Sequence, residues 1–286
     1  MLEVNKIYNA DCLELLPIID DSSIDLILTD PPFLYLKNQK LERSFNEVEF
    51  FTQAYRILKD NGFIAVFGRG ESFYRWNVIM ANLGFKFKEE IIWDKGRTTS
   101  PVLPLSRKHE TVSVYTKKNG KIRRCYVPYL EKKTSIETIE ADINRLKAIL
   151  NNPDELEEIR RYITTGEKKF SENKKVTKFK TSVQDTGSSS RAENVFAAFR
   201  RGGQESDIIR VVKNVYKAIH PTEKPVRLLE RILSVLSDEG ALVLDPFCGS
   251  GSTCEAARNT GRNYIGVEID EEYYTGAKKR LDLKLF

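Results

Sequence analysis

The chain is poor in the side chains that most often bind metal ions or form disulfide bonds. Its 286 residues include two histidines and four cysteines, and no two cysteines form a Cys-x-x-Cys pair. These spacings disfavour a zinc site. We instead expect the cysteines to be small buried apolar residues in a reducing compartment.

Long apolar segments are absent as well. No run approaches the roughly 20 residues that span a bilayer, and the first six residues lack the basic-then-apolar pattern of a secretion signal. We therefore expect a soluble cytoplasmic protein with no membrane partner. The chain also contains no Walker lysine loop, which disfavours a site that cradles phosphates.

Apolar residues make up 41% of the chain and aromatic residues 10%, which is typical of a packed globular protein. The length suits one large domain, or one domain with a sizeable insert. The charge is uneven, since residues 161–217 hold 13 lysines and arginines against 6 acids, whereas the rest of the chain holds 33 against 35. This segment indicates a polyanionic partner, although an ordinary solvated surface explains the charge equally well.

Apolar periodicity predicts alternating strands and helices. The predicted strands are residues 24–29, 63–67, 85–93, 110–116, 241–245 and 263–268. The predicted helices are residues 47–59, 72–83, 225–237, 252–260 and 271–281. We expect Asn61-Gly62 to end the first of these helices. This alternation is typical of an α/β sheet, here with a β-hairpin at one end.

The alternation stops after about residue 117 and resumes at about 219. Between these points, residues 134–164 have the pattern of a helical pair, and residues 166–191 are rich in lysine, serine and threonine. The second stretch is expected to be loop-like and mobile. The chain is therefore predicted to be an α/β domain with a basic, partly helical insert.

A nucleoside site is predicted near the end of the chain. The strand at 241–245 leads into a turn with Gly249 and Gly251, where the backbone can approach a ligand closely, and then into a helix. Asp245 ends that strand, where its carboxylate can accept from the ammonium of a methionine moiety. Glu268 ends the next strand, at the position where nucleotide folds bind ribose hydroxyls.

A second motif, Asp30-Pro31-Pro32-Phe33, follows the first apolar strand. The prolines have no N–H donors, so the carboxylate and the carbonyls can accept both hydrogens of an exocyclic base amine. Phe33 offers a flat surface on which an extruded base can stack. Taken alone, Asp-Pro-Pro is also a common turn, and the presence of the cofactor motif in the same chain is what favours chemistry.

The segment from His220 to Pro225 lies ahead of the predicted nucleoside site, with Thr222 and Lys224 between two prolines. Prolines stiffen the start of the helix that follows, and a rigid connector is one interpretation of the segment. The other is that Lys224 and Thr222 reach a cofactor carboxylate.

Together these residues resemble the amino-methyltransferases of DNA. The catalytic motif of that family is Asp/Asn/Ser-Pro-Pro-Tyr/Phe/Trp, and its cofactor motif, Phe-x-Gly-x-Gly, is similar to the run that starts at Phe247. The order of the motifs looks like the permuted β subclass. The resemblance implies a Rossmann-like sheet that binds S-adenosylmethionine (AdoMet), with a catalytic half at 1–117, a target-recognition insert at 118–218 and a cofactor-binding half at 219–286.

The resemblance also implies roles for single residues. Asp11 and Cys12 match the motif that borders the cofactor's adenine, and the segment with His220, Thr222 and Lys224 matches the one that closes over the cofactor. Asp30 belongs to both the catalytic and the cofactor-binding set. An aspartate at the first catalytic position favours adenine over cytosine, whereas Phe33 departs from the commoner tyrosine and lacks its hydroxyl.

We therefore predict a site-specific methyltransferase that moves a methyl group from AdoMet to adenine N6 of double-stranded DNA, by base flipping and direct transfer. The resemblance implies a bacterial or phage enzyme, acting alone or beside a restriction endonuclease. The helical pair is assigned to scaffolding or homodimer formation. The alternatives are cytosine N4 methylation, RNA as the substrate, and an inactive DNA-binding subunit.

Basic side chains around the predicted site are candidates for phosphate contacts. Residues 34–46 have no clean period and are expected to form a loop that orders over DNA. The candidate phosphate contacts are Arg97, Arg107, Lys108, Lys117, Arg191, Arg200 and Arg201.

Overall fold

The computed structural model of this protein describes residues 2–33, 43–96, 104–128, 131, 202–212 and 223–282. The chain divides into two compact units, one made of Met1–Arg124 and Ser206–Phe286, the other of Cys125–Glu205.

Short strands and helices alternate through the larger unit, and β6 and β7 belong to the smaller one. The strands are β1 (Lys6–Asn9), β2 (Ile24–Thr29), β3 (Leu58–Gly68), β4 (Lys86–Asp94), β5 (His109–Thr116), β6 (Tyr126–Val127), β7 (Gly203–Gln204), β8 (Ile208–Arg210), β9 (Leu242–Asp245) and β10 (Asn263–Glu268). The helices are α1 (Cys12–Leu15), α2 (Glu47–Ile57), α3 (Gly70–Asn82), α4 (Val226–Leu236), α5 (Ser252–Asn259) and α6 (Glu271–Asp282), with a 3-10 turn at Leu16–Ile18.

One sheet organises the larger unit. Among the described residues its order is β1-β10-β9-β2-β3-β5-β4-β8. Neighbouring strands are parallel except at β5, which runs antiparallel to both β3 and β4. The carboxyl ends of the parallel strands therefore meet at one edge of the sheet, and β5 begins at that same edge. Open α/β sheets bind ligands at this edge. The predicted α/β fold class is confirmed.

Consecutive residues of the apolar runs point to opposite faces of the sheet, and both faces are buried, as is typical of a mostly parallel sheet. Leu26, Ile27 and Leu28 in β2 are fully buried. Asn46 caps helix α2, because its side chain accepts a hydrogen bond from the backbone N–H of Glu49, 3.1 Å away. The helix then packs its apolar side against this core.

The predicted strands and helices of the described residues are present, with bounds that shift by a few residues. One boundary is wrong: α2 ends at Ile57, not at Asn61-Gly62. Leu58 is already extended and pairs with Ile24 of β2, so the chain enters β3 before the glycine. Burial of Leu58 against the sheet outweighs the local preference of Asn-Gly for a helix end.

Two short strands of the main sheet were not predicted, nor were β6 and β7 of the smaller unit. β1 pairs with β10 at one edge of the sheet, and β8 pairs with β4 at the other. The predicted hairpin exists as the antiparallel pair β4 and β5, but β8 lies beyond it. No described helix is long and apolar enough to cross a membrane.

In the smaller unit, β6 and β7 form an antiparallel pair, with Tyr126 opposite Gln204 and Val127 opposite Gly203. The predicted helical pair at 134–164 and the predicted loop at 166–191 lie outside the described residues. The assignment of 118–218 to target recognition stays a prediction.

Candidate active site

Two neighbouring strands bring the sequence motifs together. β2 and β9 are parallel, with Ile27 opposite Leu244. At their carboxyl ends, Oγ1 of Thr29 donates a hydrogen bond to Oδ1 of Asp245 over 2.8 Å. Asp30 follows directly, so the catalytic motif starts beside the end of the cofactor strand.

Both motifs line a single pocket at this edge of the sheet. The predicted residues in its lining are Asp11, Cys12, Asp30, Pro31, Pro32, Phe33, Lys224, Asp245, Phe247, Gly249 and Glu268. The two halves are separated by about 200 residues of chain and are joined here in space. The predicted residues His220 and Thr222 lie outside the described residues.

One carboxylate oxygen of Asp30 is paired, and the other is open in the sense that it accepts no hydrogen bond from the described residues. Its Oδ2 accepts a hydrogen bond from Nζ of Lys224, whereas its buried Oδ1 accepts none from the described residues. The side chain retains 23% of its exposure and thus borders the pocket. Burial raises the pKa of Asp30, and the charge of Lys224 opposes that rise. A ligand's N–H donor would satisfy the open oxygen.

Lys224 lies between two carboxylates. Besides Asp30, its Nζ faces Oε2 of Glu110 at 3.3 Å, and its side chain is 7% exposed. The two carboxylates raise the pKa of Lys224 well above its usual value, despite burial. A contact of Lys224 with a cofactor carboxylate stays a prediction.

Glu110 is a site residue that sequence reasoning missed. It lines the pocket from the start of β5, and its Oε1 lies 2.5 Å from Nζ of Lys95. Lys224 and Lys95 hold the pKa of Glu110 below its usual value, although burial acts in the other direction. The available signal was a charge at the start of an otherwise apolar strand.

Asp245 is the most enclosed carboxylate of the pocket, at 4% exposure. Its Oδ1 accepts hydrogen bonds from Thr29 and from the backbone N–H of Phe247, the latter over 3.2 Å. Burial raises the pKa of Asp245 to about 6, and contacts with Thr253 and Thr29 oppose this rise. Its position suits an ammonium group, which would replace the lost hydration with an opposite charge.

Glu268, at the end of β10, organises the turn beside it. Its Oε2 accepts from the backbone N–H of Gly249, and its Oε1 accepts from that of Asp270, both over 2.8 Å. Burial raises the pKa of Glu268. Each oxygen keeps a second lone pair, which can accept from a hydroxyl of a bound nucleoside.

The glycine turn requires positive φ at two positions. Gly249 has a φ of 51° and Gly251 a φ of 75°. Gly251 does not line the pocket. A Cβ on Gly251 would lie 3.0 Å from Cβ of Ala277 and 3.4 Å from Cδ1 of Ile7, so this glycine permits close packing of the turn against α6 and β1.

The aromatic residue of the catalytic motif is held from behind. Oγ of Ser72 donates to the carbonyl oxygen of Phe33 over 2.6 Å, and the ring of Phe33 lies 6.1 Å from that of Trp76. Phe45, which sequence reasoning missed, also lines the pocket and lies 5.0 Å from the ring of Phe247. Flat apolar surfaces therefore border the pocket beside both motifs.

Asp11 and Cys12 lie at the start of α1. Oδ1 of Asp11 accepts from the backbone N–H of Leu13 over 2.9 Å and caps the helix. Cys12 is buried, and burial raises its pKa to about 12, so it is an apolar wall of the pocket. Cys248 and Cys254 are buried as well, whereas Cys125 is half-buried.

An arginine on the last helix, also missed, connects three parts of the site. Nη1 of Arg280 donates to the carbonyl oxygen of Ser250 over 3.0 Å, and its Nη2 donates to Oε1 of Glu223 over 2.6 Å. Its Nε lies 3.1 Å from Oε2 of Glu255. Arg280 thereby fixes the glycine turn to the residue that precedes Lys224.

One predicted phosphate contact is wrong. Lys117 is 8% exposed, and its Nζ donates to the carbonyl oxygen of Leu58 over 2.8 Å, at the edge of the sheet opposite the pocket. Arg107 and Lys108 precede β5, at the pocket edge. The other predicted phosphate contacts and most of the predicted loop at 34–46 lie outside the described residues.

Comparison with known proteins gives one family. A family model described as a DNA methylase, N6_N4_Mtase, matches residues 24–279. Among curated relatives, the type II methyltransferase M.HinfI of Haemophilus influenzae is 28% identical over an alignment of 300 positions, which covers 97% of this chain and 68% of the relative.

Solved structures share the architecture. The M1.HpyAVI–SAM complex superimposes with a TM-score of 0.56 at 21% identity, over 96% of this chain and 98% of that one. The PvuII DNA methyltransferase, described as cytosine-N4-specific, superimposes with a TM-score of 0.61 at 17% identity, over 98% and 88%. At these identities the likeness establishes the fold.

Proposed function

Because the chain belongs to the N6/N4 DNA methylase family, we propose that it transfers a methyl group from AdoMet to N6 of adenine within a short DNA sequence. The predicted family is confirmed, and AdoMet is the cofactor of this family, as the sequence predicted. The choice of adenine, the flipping of the base and the roles of single residues are the parts that we propose here.

The observation that carries this proposal is the open Oδ1 of Asp30 in the same pocket as the glycine turn. Asp30 Oδ1 and the carbonyls of the Asp30–Pro31 segment accept the two amine hydrogens and thereby leave the nitrogen lone pair exposed. Phe33 supports the ring of the extruded base. The pocket thus orients the amine without covalent attachment to the protein.

The charges of the pocket suit a cationic cofactor. Its ionisable lining consists of Asp11, Asp30, Glu110, Glu223, Asp245, Glu268 and Asp270 against Arg43 and Lys224. This excess of acids favours an ammonium and a sulfonium and disfavours phosphates. We assign Asp245 to the ammonium, Glu268 to the ribose hydroxyls, and Asp11 and Cys12 to the adenine ring.

When bound, AdoMet supplies an electrophilic methyl group. Methyl transfer would place positive charge on the amine nitrogen, and the adjacent carboxylate of Asp30 would stabilise that charge. Oδ1 of Asp30 then accepts the proton that the nitrogen releases. Its raised pKa suits a group that takes up this proton.

The aspartate at position 30 supports adenine, because the resembled motif carries aspartate in most adenine enzymes. Type II methyltransferases such as M.HinfI act within restriction–modification, and we extend that setting to this chain, with a cognate endonuclease as partner. A homodimer belongs to the same proposal. We place the enzyme in the cytoplasm, because its DNA substrate and AdoMet are found there.

The test is transfer of labelled methyl from AdoMet to duplex DNA, followed by mass analysis of the nucleosides. We expect N6-methyladenine from the wild type and none from Asp30→Ala with its fold intact. Asp20→Ala, an exposed carboxylate ten residues earlier, is the matched control and should retain full activity. N4-methylcytosine as the product would reject the choice of base, label in RNA alone would reject DNA as the substrate, and full activity of Asp30→Ala would reject its role.

A further inference from the structure

Four buried or half-buried charges of alternating sign lie in a row, of which the first three line the pocket. Asp30 contacts Lys224, Lys224 lies 3.3 Å from Oε2 of Glu110, and Oε1 of Glu110 lies 2.5 Å from Nζ of Lys95. The side chains of Lys95 and Glu110 are 12% and 16% exposed. The four residues come from different parts of the sequence: Asp30 follows β2, Lys224 precedes α4, Glu110 lies at the start of β5 and Lys95 follows β4.

Neutralising the charge of Lys224 does not require four charged residues. Asp30 alone would balance the charge of Lys224, and the ring of Phe67, 5.0 Å from Nζ of Lys224, supports the cation further. Glu110 therefore adds a second carboxylate that competes with Asp30 for one ammonium. Lys95 in turn balances the competitor. Buried charges are costly, so an extra pair beside a reactive carboxylate has to be matched closely in geometry.

We propose that Glu110 and Lys95 are positioning residues that set how tightly Lys224 holds Asp30, and therefore how freely Asp30 accepts the target amine. The inference rests on the proposed function, since it assigns a purpose to the open oxygen of Asp30. Glu110 attracts Lys224 away from Asp30, and Lys95 limits that attraction. Neither residue is assigned a contact with substrate.

The electrostatic signs follow from the charged groups that face Asp30 among the described residues. Lys224 and Lys95 favour ionised Asp30, whereas Glu110 disfavours it. Asp245 and Asp30 also repel each other across the pocket. Removal of Glu110 should therefore lower the pKa of Asp30 and tighten its ion pair with Lys224. Removal of Lys95 should do the opposite.

The experiment compares the pH dependence of single-turnover methylation in three variants, each of which replaces a charged side chain by the neutral amide of glutamine. For Glu110→Gln we expect about tenfold slower transfer on the plateau, and an acidic limb displaced to lower pH by about one unit. For Lys95→Gln we expect the limb at higher pH and no loss on the plateau. Glu90→Gln, an exposed carboxylate on β4, should leave rate and profile unchanged.

Opposite displacement by two substitutions on the same ion pair separates tuning from mere support. A structural role would slow both variants and move neither limb, or move both in the same direction, and either result overturns the proposal. Glu110→Asp keeps the charge and should restore the wild-type limb. A limb at the Glu110→Gln position in Glu110→Asp also counts against the proposal.

Two controls keep the result decisive. If Glu110→Gln does not fold, Lys95→Gln decides alone, and an unmoved limb there overturns the inference. A wild-type protein that methylates no DNA at any pH sinks the proposed function itself. An active wild type with unmoved variants sinks the positioning role alone.

Discussion

Thr29 ends β2, Asp245 ends β9, and a hydrogen bond of 2.8 Å from the threonine hydroxyl to the carboxylate joins them. Thr29 is 2% exposed and Asp245 is 4% exposed, so the bond is shielded from water. The contact lies between the strand that presents Asp30 and the strand that leads into the glycine turn. It fixes the spacing of the segments to which we assign catalysis and cofactor binding.

Thr29→Val should weaken this connection. We expect a loss of about 1 kcal/mol in the free energy of unfolding, because a buried acceptor loses one donor. The pKa of Asp245 should rise above its value of about 6, because Thr29 opposes the rise that burial causes. AdoMet affinity should then fall more at pH 6.5 than at pH 8.

Urea unfolding and calorimetric titration of AdoMet at both pH values measure these effects. Thr52→Val is the control, since Thr52 is exposed on α2 and its hydroxyl donates to a helical carbonyl. Equal AdoMet affinity for Thr29→Val and wild type at pH 6.5 would contradict the assigned link between Thr29 and Asp245.

Asp245→Asn should weaken AdoMet binding and raise the free energy of unfolding at neutral pH. Burial raises the pKa of the folded carboxyl from 3.8 to about 6. The stabilisation that the protonated group provides is therefore complete below pH 3.8 and is lost as the pH rises through 6. An asparagine does not lose it, so we expect the variant to be more stable than wild type at pH 7.5, by up to about 3 kcal/mol.

That advantage should shrink as the pH approaches 4, and AdoMet affinity should be lower at every pH, because a neutral amide does not attract an ammonium. Thermal unfolding from pH 4 to 7.5 tests the first statement, and calorimetry tests the second. Asp238→Asn, an exposed aspartate, should show neither change. A variant less stable than wild type at pH 7.5 would show that the charge is not a cost to the fold.

Gly251→Ala should destabilise the glycine turn for two reasons. The φ of 75° is left-handed, which costs a side chain about 1–2 kcal/mol. The added Cβ would also lie 3.0 Å from Cβ of Ala277. Gly240→Ala is a matched comparison, because Gly240 has a φ of 79° and nothing within 4 Å of an added Cβ.

Urea unfolding of both variants separates the two causes. The loss in Gly240→Ala measures the backbone alone, and the loss in Gly251→Ala should exceed it by about 1–2 kcal/mol, as for other overpacked sites. Equal losses would mean that α6 moves aside without cost.

Glu268→Ala should weaken AdoMet binding. The substitution removes the acceptor for the backbone N–H groups of Gly249 and Asp270 and the proposed partner of the ribose. We expect affinity to fall about tenfold to a hundredfold, since the ribose and two half-buried backbone donors lose their acceptor. Calorimetry measures the change, with the exposed Glu271→Ala as the control. Unchanged affinity would refute the position assigned to Glu268.

The sequence predicted the sheet because apolar runs and glycine breaks are local signals. It placed Asp245 and Glu268 at strand ends for the same reason, since each acid directly follows a buried run. The short strands β1 and β8, of four and three residues, were too brief to show a period.

The ion-pair and hydrogen-bond partners of single side chains could not be predicted where they lie far apart in the sequence. Lys224 and Asp30 are 194 positions apart, and nothing in the local sequence of Glu110 indicates that a lysine from the far end of the chain lies beside it. Lys117 is the reverse case. Its place beside the end of a predicted strand suggested a surface position, but its side chain turns inward to backbone carbonyls.

The adjacency of β2 and β9 has an evolutionary consequence. The two strands pair through their backbones, so the distance between the groups at their ends is set within the sheet and does not depend on the length of exposed loops elsewhere in the chain. Such loops can lengthen, shorten or be replaced over generations while the geometry at the strand ends stays constant.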